Sequence, residues 1–336
     1  MTEKLDFRTA IASQPRWMER AAVLADEALV WMHAAPWAPG ETVAVVGMGA
    51  STHAGAVFVA ALWAAGIRAI NLDASAVASF RDGYRPADHV IVVSESGRSP
   101  EPIAAAARLG VAPVVVTNDP SSPVTAGALA VVPLGGFVDS GVYTIGYTTT
   151  LVALAAIARA HGVDLGDPAR LASVAAAALA DFAPAAPDIA RALDERWCVD
   201  IVGQGTSAGS AEAAALLFRE APGMASAPFE TLQYLHGPME SSGPHTSTIL
   251  FGDGRERGVA SQLRNAGAYV VQMVTHPGVG DDVFHLGVAA DGYAGAVAEI
   301  VFAQLIAAEL ADRRGVAVGQ FRFPQPDTKI NLPGAQ

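Results

Sequence analysis

The chain holds one cysteine, Cys198, so no internal disulfide can form and a disulfide-stapled scaffold is excluded. Charge is scarce as well: Asp, Glu, Lys and Arg make up 16% of the 336 residues, against a typical ~25%, while hydrophobic residues make up 51%. That balance predicts a large buried core and excludes a disordered chain. Basic residues are the scarcer sign, 21 Lys and Arg against 33 Asp and Glu, for a net charge of −12. Such a surface repels a phosphate backbone and leaves no counterion-release term, so no nucleic-acid partner is expected. Long apolar runs are missing too. The mean hydropathy of +0.33 invites a membrane reading, yet the apolar stretch from Ala54 to Ile67 is 14 residues, short of the roughly 20 that a span needs. It reads as a buried helix, and no membrane partner is expected. The start, MTEKLDFRTA, lacks the basic-then-apolar build of a signal peptide, which predicts a cytoplasmic location.

What is present is a pattern that occurs twice. VAVVGMGAS, Val43 to Ser51, is a short apolar run breaking into glycines ahead of an Ala-rich apolar segment, and it reads as strand, tight turn, helix. It returns as VDIVGQGTS, Val199 to Ser207, so that Gly47 and Gly49 recur as Gly203 and Gly205, an offset of 156. At that offset His89 of HVIVVSESG falls on His245, and Ser94 and Ser96 fall on Leu250 and Gly252. A fixed offset suggests duplication. Strands alternating with helices, and continuous Val/Ile runs, predict an α/β fold in which each half is a doubly wound parallel sheet sandwiched by helices. Ligands of such sheets bind beyond the carboxyl ends of the strands. The seam falls near Gly162, where HGVDLGDP interrupts an Ala-rich helical stretch. The expected organisation is therefore an N-terminal helical segment over 1–35, a first domain over 36–162 and a second over 163–336 with a C-terminal tail. Residues 5–35 read as one or two helices broken around Gln14-Pro15.

The segment Ser94-Glu95-Ser96-Gly97-Arg98-Ser99-Pro100 carries the most chemistry. A strand that delivers hydroxyls and a glycine to a helix N-terminus makes an anion site, and phosphate is its natural occupant. The competing account is a plain turn with Ser99 as N-cap and Pro100 at N1. The second half lacks these serines, which favours a phosphate site in the first half alone. GMGAS resembles part of a dinucleotide fingerprint, but the third glycine is Thr52 here; Ser51 is read instead as lining a second ligand-contacting loop, with a plain strand-to-helix turn as the alternative. In the second half, AEAAALLFRE puts Glu220 at a helix end where the dipole disfavours an acid, and His236 follows in a His-Gly-Pro turn. A carboxylate and an imidazole near a phosphate loop can move protons beside a carbonyl. Glu230 and Glu240 flank the same turn and remain rival acids. His53, His245 and His276 read as packing or loop histidines, and no spacing suggests a metal site; no cofactor is expected.

Taken together, IASQP near the start, GMGASTHAG at 47–55, SESGRSPE at 94–101, DSGVYTIGYTTT at 139–150, GQGTSAGSAEAAALLFRE at 203–220 and LHGP at 235–238 resemble the tandem sugar isomerase (SIS) domain family, as in the isomerase half of glucosamine-6-phosphate synthase. The resemblance covers essentially the whole chain. It implies two tandem SIS domains in which Ser94, Ser96 and Ser99, with the backbone of Glu95 and Gly97, hold a sugar phosphate, and Ser51 lines the pocket. It implies that Glu220 moves a proton between sugar C1 and C2, and that His236 opens the ring from the neighbouring subunit of a homodimer with shared active sites. Lys329 in PQPDTKINLPG is the candidate for the family's catalytic lysine. The chain departs from the synthase at Ala50, Leu217, Tyr143 and Thr150, where the synthase has a threonine, a lysine, an acid and a lysine. No glutaminase domain precedes the first half, so glutamine is not expected as nitrogen donor. The implied activity is aldose–ketose isomerisation or amino-sugar deamination of a hexose 6-phosphate; the alternatives are a non-catalytic sugar-phosphate sensor and a nucleotide-dependent dehydrogenase.

Overall fold

The computed structural model describes residues 4–32, 36–81, 83–275, 283–285, 290, 292–323, 325 and 327–330. His276 lies outside them. By backbone contacts the chain divides into two compact units. One comprises Arg16–Phe137, Gly146–Ala169 and Phe321–Gln336; the other comprises Met1–Pro15, Val138–Ile145 and Arg170–Gln320. This grouping differs from the linear boundaries expected above: the start of the chain counts with the second sheet, and its last residues count with the first.

The chain opens with α1 (Phe7–Leu29), one helix where a break at Pro15 was expected. A proline inside a helix leaves the carbonyl four residues back without its donor. Here the Gln14 side chain supplies it, Nε2 donating to the Ile11 carbonyl at 3.0 Å and also to Gln304 Oε1 at 2.8 Å. Gln14 is fully buried, so its amide replaces a hydrogen bond that water could not have restored.

The first sheet contains β1 (Thr42–Gly47), β2 (Arg68–Asp73), β3 (His89–Val93), β4 (Val114–Thr117) and β5 (Ala130–Pro133), all parallel in the order β2-β1-β3-β4-β5. Val43 to Val46 and Val115 to Val116 are fully buried, as strands covered on both faces must be. Around them run α2 (Ala50–Ala64), α3 (Ala74–Val77), α4 (Pro100–Arg108) and α5 (Ile145–Ala160). Next come α6 (Pro168–Phe182), α7 (Ala186–Asp194) and the second sheet, with β6 (Cys198–Gly203), β7 (Ala225–Glu230), β8 (Thr246–Phe251), β9 (Tyr269–Val274) and β10 (Val283–His285) in the order β10-β9-β8-β6-β7. Its helices are α8 (Thr206–Glu220), α9 (Thr231–Tyr234), α10 (Glu256–Asn265) and α11 (Gly292–Arg313). Counted from its own first strand, each sheet has the order 2-1-3-4-5, the doubly wound arrangement. The expected fold is therefore the observed one.

The repeat holds at its first step, where α2 and α8 begin and end at the 156-residue offset and both start after a glycine of positive φ, Gly49 at 54° and Gly205 at 62°. Beyond that the constant offset fails. Val46 pairs with Val92, 46 residues on, whereas Val202 pairs with Leu250, 48 residues on. Two extra residues enter the second half between these strands. Ser94 and Ser96 therefore match Gly252 and Gly254, not Leu250 and Gly252, and His89 matches Ser247; His245 lies before β8, stacked on Trp197 at 4.5 Å.

One described helix, α11, is long and apolar enough to cross a membrane, but 83% of its most apolar window is buried within the protein, as in a core helix. It carries Glu299, 3% exposed, whose Oε1 accepts from Ser207 Oγ at 2.6 Å while Oε2 has no hydrogen-bond partner among the described residues. Burial pushes this carboxyl up to about 7, with the hydroxyls of Ser207 and Ser210 opposing. A group protonated in the folded state and ionised in the unfolded one costs stability as pH rises between the two pKa values, here from about 4.5 to about 7. Glu299→Gln should remove that slope and raise stability at pH 8 by roughly 3–4 kcal/mol, at ~1.4 kcal/mol per pH unit. Urea denaturation of both proteins at pH 5 and pH 8 checks it; parallel pH dependences would refute it.

Candidate functional site

In a 2-1-3-4-5 sheet the chain reverses its direction of travel between the first and third strands, and a crevice opens beyond their carboxyl ends. In the first sheet these strands are β1 and β3, paired through Val46 and Val92, so the turns that follow them emerge side by side. One turn carries Ser51, 7% exposed in the first turn of α2. A Cβ on Gly47 would lie 2.9 Å from the Ser51 carbonyl carbon, so the strand end and helix start can approach this closely only with glycine.

The other turn is the serine loop. The Ser94 N–H continues the ladder by donating to the Val116 carbonyl at 3.0 Å, and the Gly97 N–H donates back to the Ser94 carbonyl at 3.1 Å. Gly97 has φ 63°, and a Cβ there would fall 1.8 Å from Ser122 Oγ. The Glu95 carbonyl accepts from the Asn118 N–H at 2.8 Å and from Thr117 Oγ1 at 3.2 Å. In this arrangement the Gly97 N–H and the Glu95 carbonyl serve the loop itself. Arg98 pairs with Asp119 at 3.1 Å. The Asp119 carboxyl is held below its ordinary range chiefly by the Ser121 hydroxyl, with a lesser part from Arg98.

Ser99 occupies the N-cap position of α4, with Pro100 just inside, as the plain-turn account requires, yet its side chain makes no capping bond. Its hydroxyl instead accepts from Lys329 Nζ at 3.0 Å, and Ser96 Oγ accepts from the same ammonium at 2.9 Å. The Ile330 N–H donates to the Arg98 carbonyl at 2.8 Å, fixing the tail segment on the loop. The structure thus brings Ser94, Ser96, Gly97, Ser99 and Lys329 together in one unit. Sequence reasoning missed Thr117, Asn118, Asp119 and Ser122, which cradle the loop from behind. Their signal was a polar TNDPSS cluster directly after a buried strand.

Glu220 and His236 belong to the other unit. Glu220 is the last residue of α8, half-buried, at the position Ala64 holds in α2. His236 is exposed in the turn after α9, its N–H donating to the Gln233 carbonyl at 3.0 Å. Tyr234 anchors that turn, its buried hydroxyl 2.9 Å from Asp200 Oδ2 and 2.9 Å from Ser242 Oγ. Burial pushes the Tyr234 phenol up to about 12 and raises the Asp200 carboxyl. Of the rival acids, Glu230 is committed to capping α9, accepting from the Gln233 N–H at 2.9 Å, and Glu240 sits exposed in the 3-10 turn Pro238–Ser241. Thr150 is fully buried, and its hydroxyl donates to the Gly146 carbonyl at 2.7 Å.

At the corresponding crevice of the second sheet, between β6 and β8, the polar groups have the opposite character. Gly252, Asp253 and Gly254 stand where Ser94, Glu95 and Ser96 stand in the first sheet. Glu256, 3% exposed, follows in the first turn of α10, and Ser207 is engaged by Glu299. Among the described residues, no group of three or more His, Cys, Asp and Glu is placed to hold a metal ion.

The two sheets, each with the strand order 2-1-3-4-5, define a chain built of two doubly wound α/β domains. No protein-family model matches the chain, and no curated protein matches it in sequence. Among solved structures it is similar to the C-terminal domain of glucosamine-fructose-6-phosphate aminotransferase from Francisella tularensis, with TM-score 0.79 and 16% identity over 94% of this chain and 98% of that one. It is similar to tagatose-6-phosphate ketose/aldose isomerase from Escherichia coli, with TM-score 0.74 and 15% identity over 95% and 97% of the two chains. Glucosamine-6-phosphate deaminase from Thermotoga maritima gives TM-score 0.72 and 19% identity over 94% and 96%. At these identities the likeness establishes the fold.

Proposed function

We propose that this chain is a phosphosugar isomerase or amino-sugar-phosphate deaminase that acts on a hexose 6-phosphate, as a cytoplasmic homodimer with shared active sites. The observation that carries the reading is the serine-lined crevice between β1 and β3, whose Ser99 hydroxyl is diverted from the capping duty that a plain turn would give it. Phosphate held there, far from the reacting carbons, supplies positioning energy for the chemistry. One site per chain follows from the donors, because the second crevice offers Gly252, Asp253 and Gly254 where the first offers Ser94, Glu95 and Ser96. His236 assists ring opening, and Glu220 takes the C2 or C1 proton to give an enediol-type intermediate. The enzymes among the structural neighbours are named for this chemistry, which supports the choice of class.

The test is to incubate the protein with fructose 6-phosphate and glucosamine 6-phosphate separately and to assay aldose, ketose and ammonia. Turnover of either establishes the class; binding of both with turnover of neither would replace it with a non-catalytic sensor. In parallel, Ser94→Ala with Ser96→Ala should raise the dissociation constant by roughly tenfold or more for each hydrogen bond to charge that is lost, about 1.5–3 kcal/mol apiece. Unchanged affinity in calorimetry would remove the phosphate site from this loop.

A further inference from the structure

Lysine is almost absent from this chain, which has 19 arginines but only two lysines, Lys4 and Lys329. One of the two lies on the serine loop. Its Nζ is 2.9 Å from Ser96 Oγ and 3.0 Å from Ser99 Oγ, and the next residue, Ile330, is tied by its N–H to the Arg98 carbonyl at 2.8 Å. We propose that Lys329 recognises the charge of the phosphate, as a binding residue contributed by the tail, and is not the amine of the chemical step. The proposal rests on the reading of the serine loop as the phosphate site.

The electrostatics of the loop call for such a group. Its own cation, Arg98, is paired with Asp119 at 3.1 Å. Glu95 lies within the loop and Glu101 in the first turn of α4, so without a further cation a phosphate dianion would enter a neighbourhood of net negative charge. An ammonium suits the task because it is a compact charge with three donors that can be shared among separate oxygens. By donating to Ser96 Oγ and Ser99 Oγ it occupies their lone pairs and turns their O–H groups towards an incoming anion, so lysine and serines act as one donor set. The backbone bond from Ile330 to Arg98 sets the position of the ammonium before any ligand arrives, which lowers the ordering cost of binding.

The experiment uses the full chain labelled with 15N-lysine, in which each lysine gives its own side-chain signal. Titration with inorganic phosphate should shift the Lys329 signal and leave that of Lys4 in place. Lys329→Gln should raise the dissociation constant for inorganic phosphate and for fructose 6-phosphate by roughly tenfold, the discount from a buried pair reflecting the exposure of this side chain. Lys329→Arg should recover part of the loss, Lys4→Gln should change nothing, and in turnover the Gln variant should raise KM while leaving kcat close to wild type. Three results would overturn the proposal: unchanged phosphate affinity in Lys329→Gln, tighter binding in that variant, which would make the tail a plug, or a borohydride-trapped fructose 6-phosphate adduct on Lys329, which would make it the reacting amine. Ser94→Ala separates this inference from the reading beneath it. If Ser94→Ala weakens phosphate binding and Lys329→Gln does not, the loop stands and the lysine role falls; if neither does, both fall.

Discussion

Glu220→Gln should lower turnover of the sugar phosphate by about 10²–10⁴-fold, the usual contribution of a positioned general base, while phosphate affinity stays within about twofold of wild type. Glutamine keeps the shape of the side chain and removes its basicity. The carboxylate ends α8, where the negative end of the helix dipole disfavours an anion, and the matching position of α2 is Ala64, so helix stability gives no reason for an acid there. The serine loop proposed to hold the phosphate lies in the other unit, which is why binding and chemistry should separate in this variant. Proton NMR in deuterium oxide reads the step directly: wild type should incorporate deuterium at C2 of the aldose or C1 of the ketose, and the Gln variant should not. Exchange at the wild-type rate would pass the role to another acid, with Glu230 encumbered by its capping bond to Gln233.

Gly97→Ala should abolish measurable phosphate binding and destabilise the protein by about 2–4 kcal/mol, the combined scale of left-handed strain and overpacking. The new methyl would be driven to 1.8 Å from Ser122 Oγ and 2.4 Å from Ser122 Cβ, and the backbone at φ 63° gives it no alternative direction. The two contributions can be divided experimentally. Ser122→Gly in the Gly97→Ala background removes both clashing atoms and should restore most of the steric part, leaving roughly 1 kcal/mol of backbone strain. Thermal denaturation with and without inorganic phosphate measures both stability and binding; a Gly97→Ala protein that melts and binds like wild type would show that the loop adapts.

Local signals carried much of this structure in the sequence. The valine runs and the glycine turns placed β1, α2, β6 and α8, because a strand buried on both faces and a turn of positive φ each demand residue types found almost nowhere else. The serine loop was legible for the same reason, being a short stretch whose hydroxyls, glycine and proline have defined places at a helix start. What escaped depends on partners distant in the chain. Pro15 reads as a helix break because proline ordinarily is one, and only the Gln14 amide, held by Gln304, keeps α1 whole. The register between the halves could not be read from a single offset, since the two residues gained by the second half lie beyond the glycine motif. The burial of Glu299, in the middle of an apolar helix, goes with a partner, Ser207, that lies 92 residues away and that no local pattern reveals. Lys329 was picked out by resemblance, but its place on Ser96 and Ser99 rests on contacts spanning more than two hundred residues.

The pairing of α1 with α11 sets a timetable for synthesis. Gln14 meets Gln304, and Arg8 meets Glu309 and Asp312, across roughly three hundred residues. A ribosome adding about 5–20 residues per second reaches α11 some 15–60 seconds after it has made the first turns of α1. Gln14, fully buried in the finished protein, has no Gln304 to pair with during that interval. The oldest residues of the nascent chain are thus among the last to find their partners, and Lys329 completes the serine loop later still.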